Sequence, residues 1–222
     1  KDGACVGAYA TWKEAITAAT ATVKGNDAKA ESVTILLRRD YNVQSGDTFD
    51  NLCDIGGTLV IDLGGYSLTR SASLFSLIFQ KTGGVLVNET NIIIKNGGLL
   101  AYNNVLFSVL YLKDEIYKNK TFNVTLDNVD IGFAEGATAK NPLFTVWDNG
   151  RNIGGGNVNF HFKDCDFDYV TNAPSGKLTV FGFWDTYNFI NVNAQIAGGS
   201  FKFNTLDTAS VLFNSLNSGN DT

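Results

Sequence analysis

The sequence predicts an all-β chain, a parallel β-helix: a solenoid of about five to six coils behind an N-terminal capping α-helix. Three observations predict it. A short strand-and-corner pattern recurs at intervals of 31 to 36 residues from Leu63 to Ile196. A second apolar anchor keeps step with it, and a single helical period stands before the first repeat.

The helix comes first. Thr11-Trp12-Lys13-Glu14 has the spacing of a capping box, in which the Thr hydroxyl and Glu carboxylate satisfy free amides at a helix start. Trp12, Ile16, Ala19 and Val23 then share one face. A β-helix exposes its apolar interior at each end, and this face suits a lid on the first coil; a helix lying on the side of the stack is the alternative.

The repeats follow. VIDLGGYSL (60–68) lines up with IIIKNGGLL (92–100), NVTLDNVDI (123–131), NFHFKDCDF (159–167) and NAQIAGGSF (193–201). The anchors Leu63, Ile94, Leu126, Phe162 and Ile196 are spaced by 31, 32, 36 and 34 residues. Two positions later stand Gly65, Asn96, Asn128, Asp164 and Gly198, residue types that tolerate left-handed backbone at a corner. The second anchor reads Phe75, Phe107, Phe144, Phe181 and Phe213, at spacings of 32, 37, 37 and 32. A third strand per unit shows only in patches, as in GGVLVNE (83–89).

Units this short cannot bury both faces of their strands unless they stack. Stacking is expected to pile Ile61 and Leu63, Ile92 and Ile94, Val124 and Leu126, Phe160 and Phe162, and Ala194 and Ile196 into inward rows. An antiparallel sandwich also uses short alternating strands, but it has no reason to repeat at this interval. The expected organisation is one β-helix domain over 1–222. It comprises an N-terminal strand and capping helix (1–31), coils (32–216) and a flexible end (217–222). The polar NSGNDT end is too short to close a coil, so the parent chain is expected to continue or a chain partner to cover the C-terminal coil.

Charge and composition narrow the partners. With a net charge of −5 and no basic block longer than Arg38-Arg39, nucleic-acid binding is not expected. No apolar span is long enough for membrane insertion. A chain that opens on Lys1, contains no Met and carries 24 Asn and 20 Thr reads as the mature part of a secreted or cell-surface protein. Cys5, Cys53 and Cys165 lack zinc-site spacing, and Cys5 with Cys53 is the preferred pair if a disulfide forms, with buried thiols the alternative. Asn-x-Thr triplets at Asn88, Asn119, Asn123 and Asn220 are about as many as this composition gives by chance.

The pattern VIDLGGYSL and its four later copies, behind YATWKEAITAAT and VTILLRRDY, resembles the right-handed parallel β-helix, or pectin-lyase-like, family of bacterial secreted and cell-surface proteins. The resemblance covers about residues 33–216. It implies a carboxylate cluster on one outward strand face in those members that cleave acidic polysaccharides, some with calcium beside a basic residue and others with paired aspartates.

Here the outward position before the anchor reads Asp62, Ile93, Thr125, His161 and Gln195, and the next reads Gly64, Lys95, Asp127, Lys163 and Ala197. The nearest approach to an acidic site is Asp164 and Asp166 with Asp127 and Asp130 one coil earlier, beside His161; corner geometry selects Asp equally well. The N-T-D, G-H-G and R-I-K set of the polygalacturonase relatives is missing, and Arg151 is the one other basic candidate. A second candidate is an aromatic strip in which Trp147-Asp148 and Trp184-Asp185, with Tyr187, stack on adjacent coils and offer indole faces to sugar rings. In the alternative, the strand ends there and the tryptophans fill the core.

The expectation is a non-catalytic module for adhesion, structural extension or glycan contact, with polysaccharide or another surface protein as partner and no cofactor. The competing expectation is a polysaccharide lyase or glycoside hydrolase built on the aspartates, the one case in which calcium enters.

Overall fold

The structure, a computed structural model, describes residues 5, 7–25, 31–44, 47, 55–70, 75–79, 87–102, 107–111, 120–137, 143–148, 156–169, 179–184, 190–203 and 211–215. It is predominantly β, with one helix among the described residues. Helix α1 (Trp12–Val23) starts on the expected capping box. The Glu14 amide donates to Thr11 Oγ1 at 3.3 Å, and the Thr11 amide donates to the Glu14 carboxylate at 3.2 Å. Its buried residues are Trp12, Ile16, Ala19 and Val23, and they join the same core as the first strands, against β1 (Ser32–Leu36) and β3 (Thr58–Asp62). The helix therefore packs on the first strands of the stack. No strand precedes it among the described residues.

Six strands stack in sequence order: β1, β3, β6 (Glu89–Ala101), β8 (Lys120–Phe133), β10 (Gly156–Lys163) and β13 (Ile190–Ala197). Past a corner, a second run of pairings joins β2 (Tyr41–Val43), β4 (Ser67–Arg70), the far halves of β6 and β8, β11 (Asp166–Tyr169) and β14 (Ser200–Phe203). A separate sheet holds β5 (Phe75–Phe79), β7 (Phe107–Tyr111), β9 (Phe144–Asp148), β12 (Thr179–Trp184) and β15 (Val211–Ser215). Every pairing between these strands is parallel, which removes the antiparallel sandwich. The stack is compatible with a β-helix-like solenoid. The third strand of each unit lies directly after the corner; of the stretch 83–89, residues 83–86 lie outside the described residues.

Register confirms the second anchor without change: Phe75, Phe107, Phe144, Phe181 and Phe213 are in-register partners. It corrects the first anchor in the opening unit. Ile61, not Leu63, pairs with Ile94, and the row continues through Leu126, Phe162 and Ile196. The physical reason is corner length. The opening unit takes four residues, 63–66, between its strands where the next takes two, Asn96 and Gly97, so an ungapped alignment slips by two. The inward residues of that unit are accordingly Leu59 and Ile61, with Leu63 buried inside the corner.

All five corner positions adopt left-handed backbone: Gly65 at φ 84°, Asn96 at 60°, Asn128 at 57°, Asp164 at 50° and Gly198 at 76°. These conformations cost a residue with a Cβ about 1–2 kcal/mol, least for Asn and Asp. Gly97 is fixed by space as well, because a Cβ there would overlap the Tyr66 carbonyl oxygen.

Inside, aromatic side chains join the ten-stranded sheet to the five-stranded one. Phe107 and Phe181 stack on Phe144 at 5.6 and 5.2 Å, while Phe160 and Phe162 meet Phe144 edge-on at 5.5 and 5.2 Å. Cys165 is buried and free, its thiol donating to the Leu126 carbonyl at 3.3 Å, and burial pushes its pKa up. Cys5 is a free, exposed thiol rather than half of a disulfide, and Cys53 lies outside the described residues.

Two substitutions check this packing. Phe144→Ala should cost about 3–5 kcal/mol in urea unfolding, since it removes the ring that the other four contact. Asn128→Val should cost about 1–2 kcal/mol through its left-handed backbone. Asn128→Gly should stay within about 1 kcal/mol of the parent.

Candidate functional site

A parallel register places each outward side chain beside its counterpart one strand away, at about 4.8 Å. What a row can do therefore depends on which residue types succeed one another along the stack. Three outward rows of the first sheet differ sharply in this respect.

The first row runs Ser32, Thr58, Asn91, Asn123, Asn159 and Asn193. Its four asparagines form a continuous ladder. Asn123 Nδ2 donates to Asn91 Oδ1 at 2.9 Å, Asn159 to Asn123 at 2.8 Å, and Asn193 to Asn159 at 2.9 Å. A carboxamide has both donor and acceptor, so identical residues satisfy one another, as they do in stacked cross-β assemblies. A shorter ladder runs beside it, with Asn191 donating to Asn157 at 3.1 Å and Asn157 to Thr121 Oγ1 at 3.3 Å. At the corner, Asn128 donates to Asn96 at 3.3 Å and Asn96 to Asp62 Oδ1 at 3.2 Å.

The second row reads Thr34, Val60, Ile93, Thr125, His161 and Gln195, and His161 Nδ1 lies 3.1 Å from Gln195 Oε1. The third reads Leu36, Asp62, Lys95, Asp127, Lys163 and Ala197. Its four charges alternate in sign along the stack. Lys95 meets Asp62 at 3.5 Å and Lys163 meets Asp127 at 3.1 Å. The two-residue correction in register thus moves Asp62 out of the histidine row and into this one, with another carboxylate two strands away. Burial pushes the Asp62 pKa up, but the Asn96 amide, the Gly64 amide and Lys95 outweigh it and hold the carboxyl below its ordinary value of 3.8.

Comparison of the chain with protein-family models, curated proteins and solved structures yields no match.

The candidate aspartates fall on three different rows. Asp127 is in the charge row, held by Lys163. Asp164 occupies the corner row after Asn96 and Asn128, its amide donating to the Ala197 carbonyl at 2.8 Å. Asp130 and Asp166 are in-register neighbours past the corner, and Asp166 accepts from the Ser200 hydroxyl at 2.7 Å. His161 sits in the middle row, bonded to Gln195. Among the described residues, no group of three or more His, Cys, Asp or Glu could hold a metal ion. Arg151 lies outside the described residues.

For the aromatic strip, backbone pairing sets Trp184 beside Trp147, and Asp148 beside Tyr111. The side chains of Trp147, Asp148 and Trp184, and the whole of Asp185 and Tyr187, lie outside the described residues. Two residues before Trp147, Thr145 is 5% exposed and its hydroxyl donates to the Phe107 carbonyl, so the face opposite Phe144 is covered at that point.

Sequence reasoning missed the asparagine ladder. The signal was present in NVN at 157–159 and again at 191–193, with Asn123 and Asn91 in the same phase. The ladder also occupies an Asn-x-Thr triplet: Asn123 Nδ2 donates to Glu89 at 2.8 Å as well as to Asn91.

Asn159→Asp should destabilise the chain by about 1–3 kcal/mol at pH 7, because a carboxylate there faces the Asn123 oxygen that has lost its donor. Part of the loss should return at pH values below about 4, where a protonated carboxyl donates again. Asp62→Asn should cost about 1 kcal/mol at neutral pH. A carboxyl held below 3.8 contributes stability that is full above that value and fades as pH falls through the lower folded-state value, so the parent and variant curves should converge there. Urea titrations across pH read both effects.

Proposed function

We propose that the stack is a right-handed β-helix of the pectin-lyase-like kind and that it serves as a non-catalytic, secreted or cell-surface module for adhesion, structural extension or glycan contact. One observation carries this reading. Outward polar side chains of the largest sheet bond to one another along the stack, in the asparagine ladder and the alternating Asp–Lys row, instead of converging on one point. Catalysis on a polysaccharide needs an acid and a base placed around a single bond. The four aspartates lie on three rows, with Asp130 and Asp166 side by side in one of them, and Asp127 and Asp166 have local partners. A surface that repeats at each unit fits an extended partner better than a single bond to be cleaved.

Glycan contact, in this proposal, falls to Trp147 and Trp184, which backbone pairing sets side by side, with Asp148, Asp185 and Tyr187 as hydrogen-bonding neighbours. Partners are polysaccharide or another surface protein.

A screen of acidic and neutral polysaccharides for unsaturated or reducing-end products, with and without calcium, separates the readings when run beside a glycan-binding array. The expected result is retention on one or more glycans without product, weakened about tenfold or more by Trp147→Ala with Trp184→Ala, and unaffected by calcium. Product formation that disappears in Asp164→Ala or Asp166→Ala would replace this proposal with the lyase or hydrolase.

A further inference from the structure

Asn96 is followed by Gly97, and that dipeptide carries a chemistry of its own. In an Asn-Gly pair the glycine amide nitrogen can attack the asparagine Cγ, because no side chain hinders its approach. The nitrogen loses its proton and bonds to Cγ, ammonia leaves with Nδ2, and a succinimide ring closes. Water then opens the ring at either carbonyl. One opening gives aspartate; the other gives isoaspartate, whose backbone is longer by a methylene. Water is the only co-reactant.

The corner holds this pair in a form that opposes the reaction. The Asn96 carboxamide is gripped on both sides: Nδ2 donates to Asp62 Oδ1 at 3.2 Å, and Oδ1 accepts from Asn128 Nδ2 at 3.3 Å. Its backbone is pinned to the preceding unit. The Asn96 carbonyl accepts from the Gly65 amide at 2.7 Å, and the Gly98 amide donates to the Tyr66 carbonyl at 3.0 Å. Gly97 sits so close to Leu63 and Tyr66 that a Cβ there would overlap both. Attack requires the carboxamide to leave its row and fold over its own backbone, which breaks both side-chain bonds. The pinned peptide resists any backbone rotation that would bring the Gly97 nitrogen to Cγ.

The products do not fit where the asparagine did. Aspartate at this position sets a carboxylate against Asp62 Oδ1, where the amide donor stood, so like charges face each other along the row. Isoaspartate lengthens a corner of two residues, Asn96 and Gly97, between Lys95 and Gly98, which are both in register with the preceding unit.

We propose that Asn96-Gly97 is a guarded deamidation site. The closed corner preserves the asparagine, opening of the corner exposes it to succinimide formation, and conversion keeps the corner from closing again. The modification runs in one direction, and it removes chains that stay open from the pool able to refold.

The test follows ammonia loss in the full chain at mildly alkaline pH by peptide mass mapping, with isoaspartyl methyltransferase labelling for the isoaspartate form. The native chain should convert at Asn96 about tenfold or more slowly than the same chain held in guanidinium chloride. Asn149-Gly150, the second Asn-Gly pair of the sequence, lies outside the described residues and serves in the same digest as the control for the unfolded-state chemistry. Asn128→Gly accepts the left-handed corner but removes the donor to Asn96 Oδ1, and it should speed native-state conversion at Asn96 about fivefold. If that variant fails to fold, the native and unfolded parent chains decide alone. After ageing in guanidinium chloride, the parent should lose refolding yield in step with conversion at Asn96, read by circular dichroism. Asn96→Gly, which keeps the corner and has no side-chain amide, should not. Equal conversion rates in native and unfolded chains, an Asn128→Gly rate equal to that of the parent, or full refolding of converted chains would each overturn the proposal.

Discussion

In-register parallel pairing is the constraint from which the rest of the structure follows. At about 4.8 Å between strands, the nearest neighbour of a side chain is the residue at the same position one unit away. Residues that suit their own kind can therefore be repeated, and residues that repel their own kind must alternate. Phenylalanines stack on phenylalanines in the interior, and asparagines bond to asparagines outside. Carboxylates and ammonium groups take turns from Asp62 to Lys163. Asp130 beside Asp166 breaks the pattern, and there Ser200 on the next strand supplies a donor.

This constraint also explains what could be read from the sequence. The corner residues were legible because left-handed backbone admits few residue types, so Gly65, Asn96, Asn128, Asp164 and Gly198 stand out in any alignment of the units. The phenylalanine anchor was legible because large apolar residues recur at one depth. The opening unit was misaligned because apolar residues at Leu59, Ile61 and Leu63 are all buried, and hydrophobicity alone does not distinguish a strand position from a corner that is also inside. Only hydrogen-bonded register fixes that choice.

The polar rows were harder to see because an outward asparagine carries no periodic hydrophobic signal. Asn159 looks the same in sequence whether it points to water or to Asn123. The same holds for the candidate aspartates, which sequence grouped by proximity along the chain while the fold sorts them by row. Asp164 and Asp166 are two residues apart in sequence, yet one turns the corner and the other lies on the strand beyond it. In this architecture side chains are grouped by row rather than by motif.

The interval between units has a kinetic consequence. Each strand pairing links residues about one unit apart in sequence, such as Phe107 and Phe144 or Ile94 and Leu126, and each unit touches chiefly its immediate neighbours. Closing the first such loop costs entropy before any contact compensates it, which makes initiation slow. Every later unit finds a finished template, so growth of the stack is a one-dimensional propagation with a neighbour term at each step. Helix α1, whose capping box is complete within four residues, is a natural place for that process to begin.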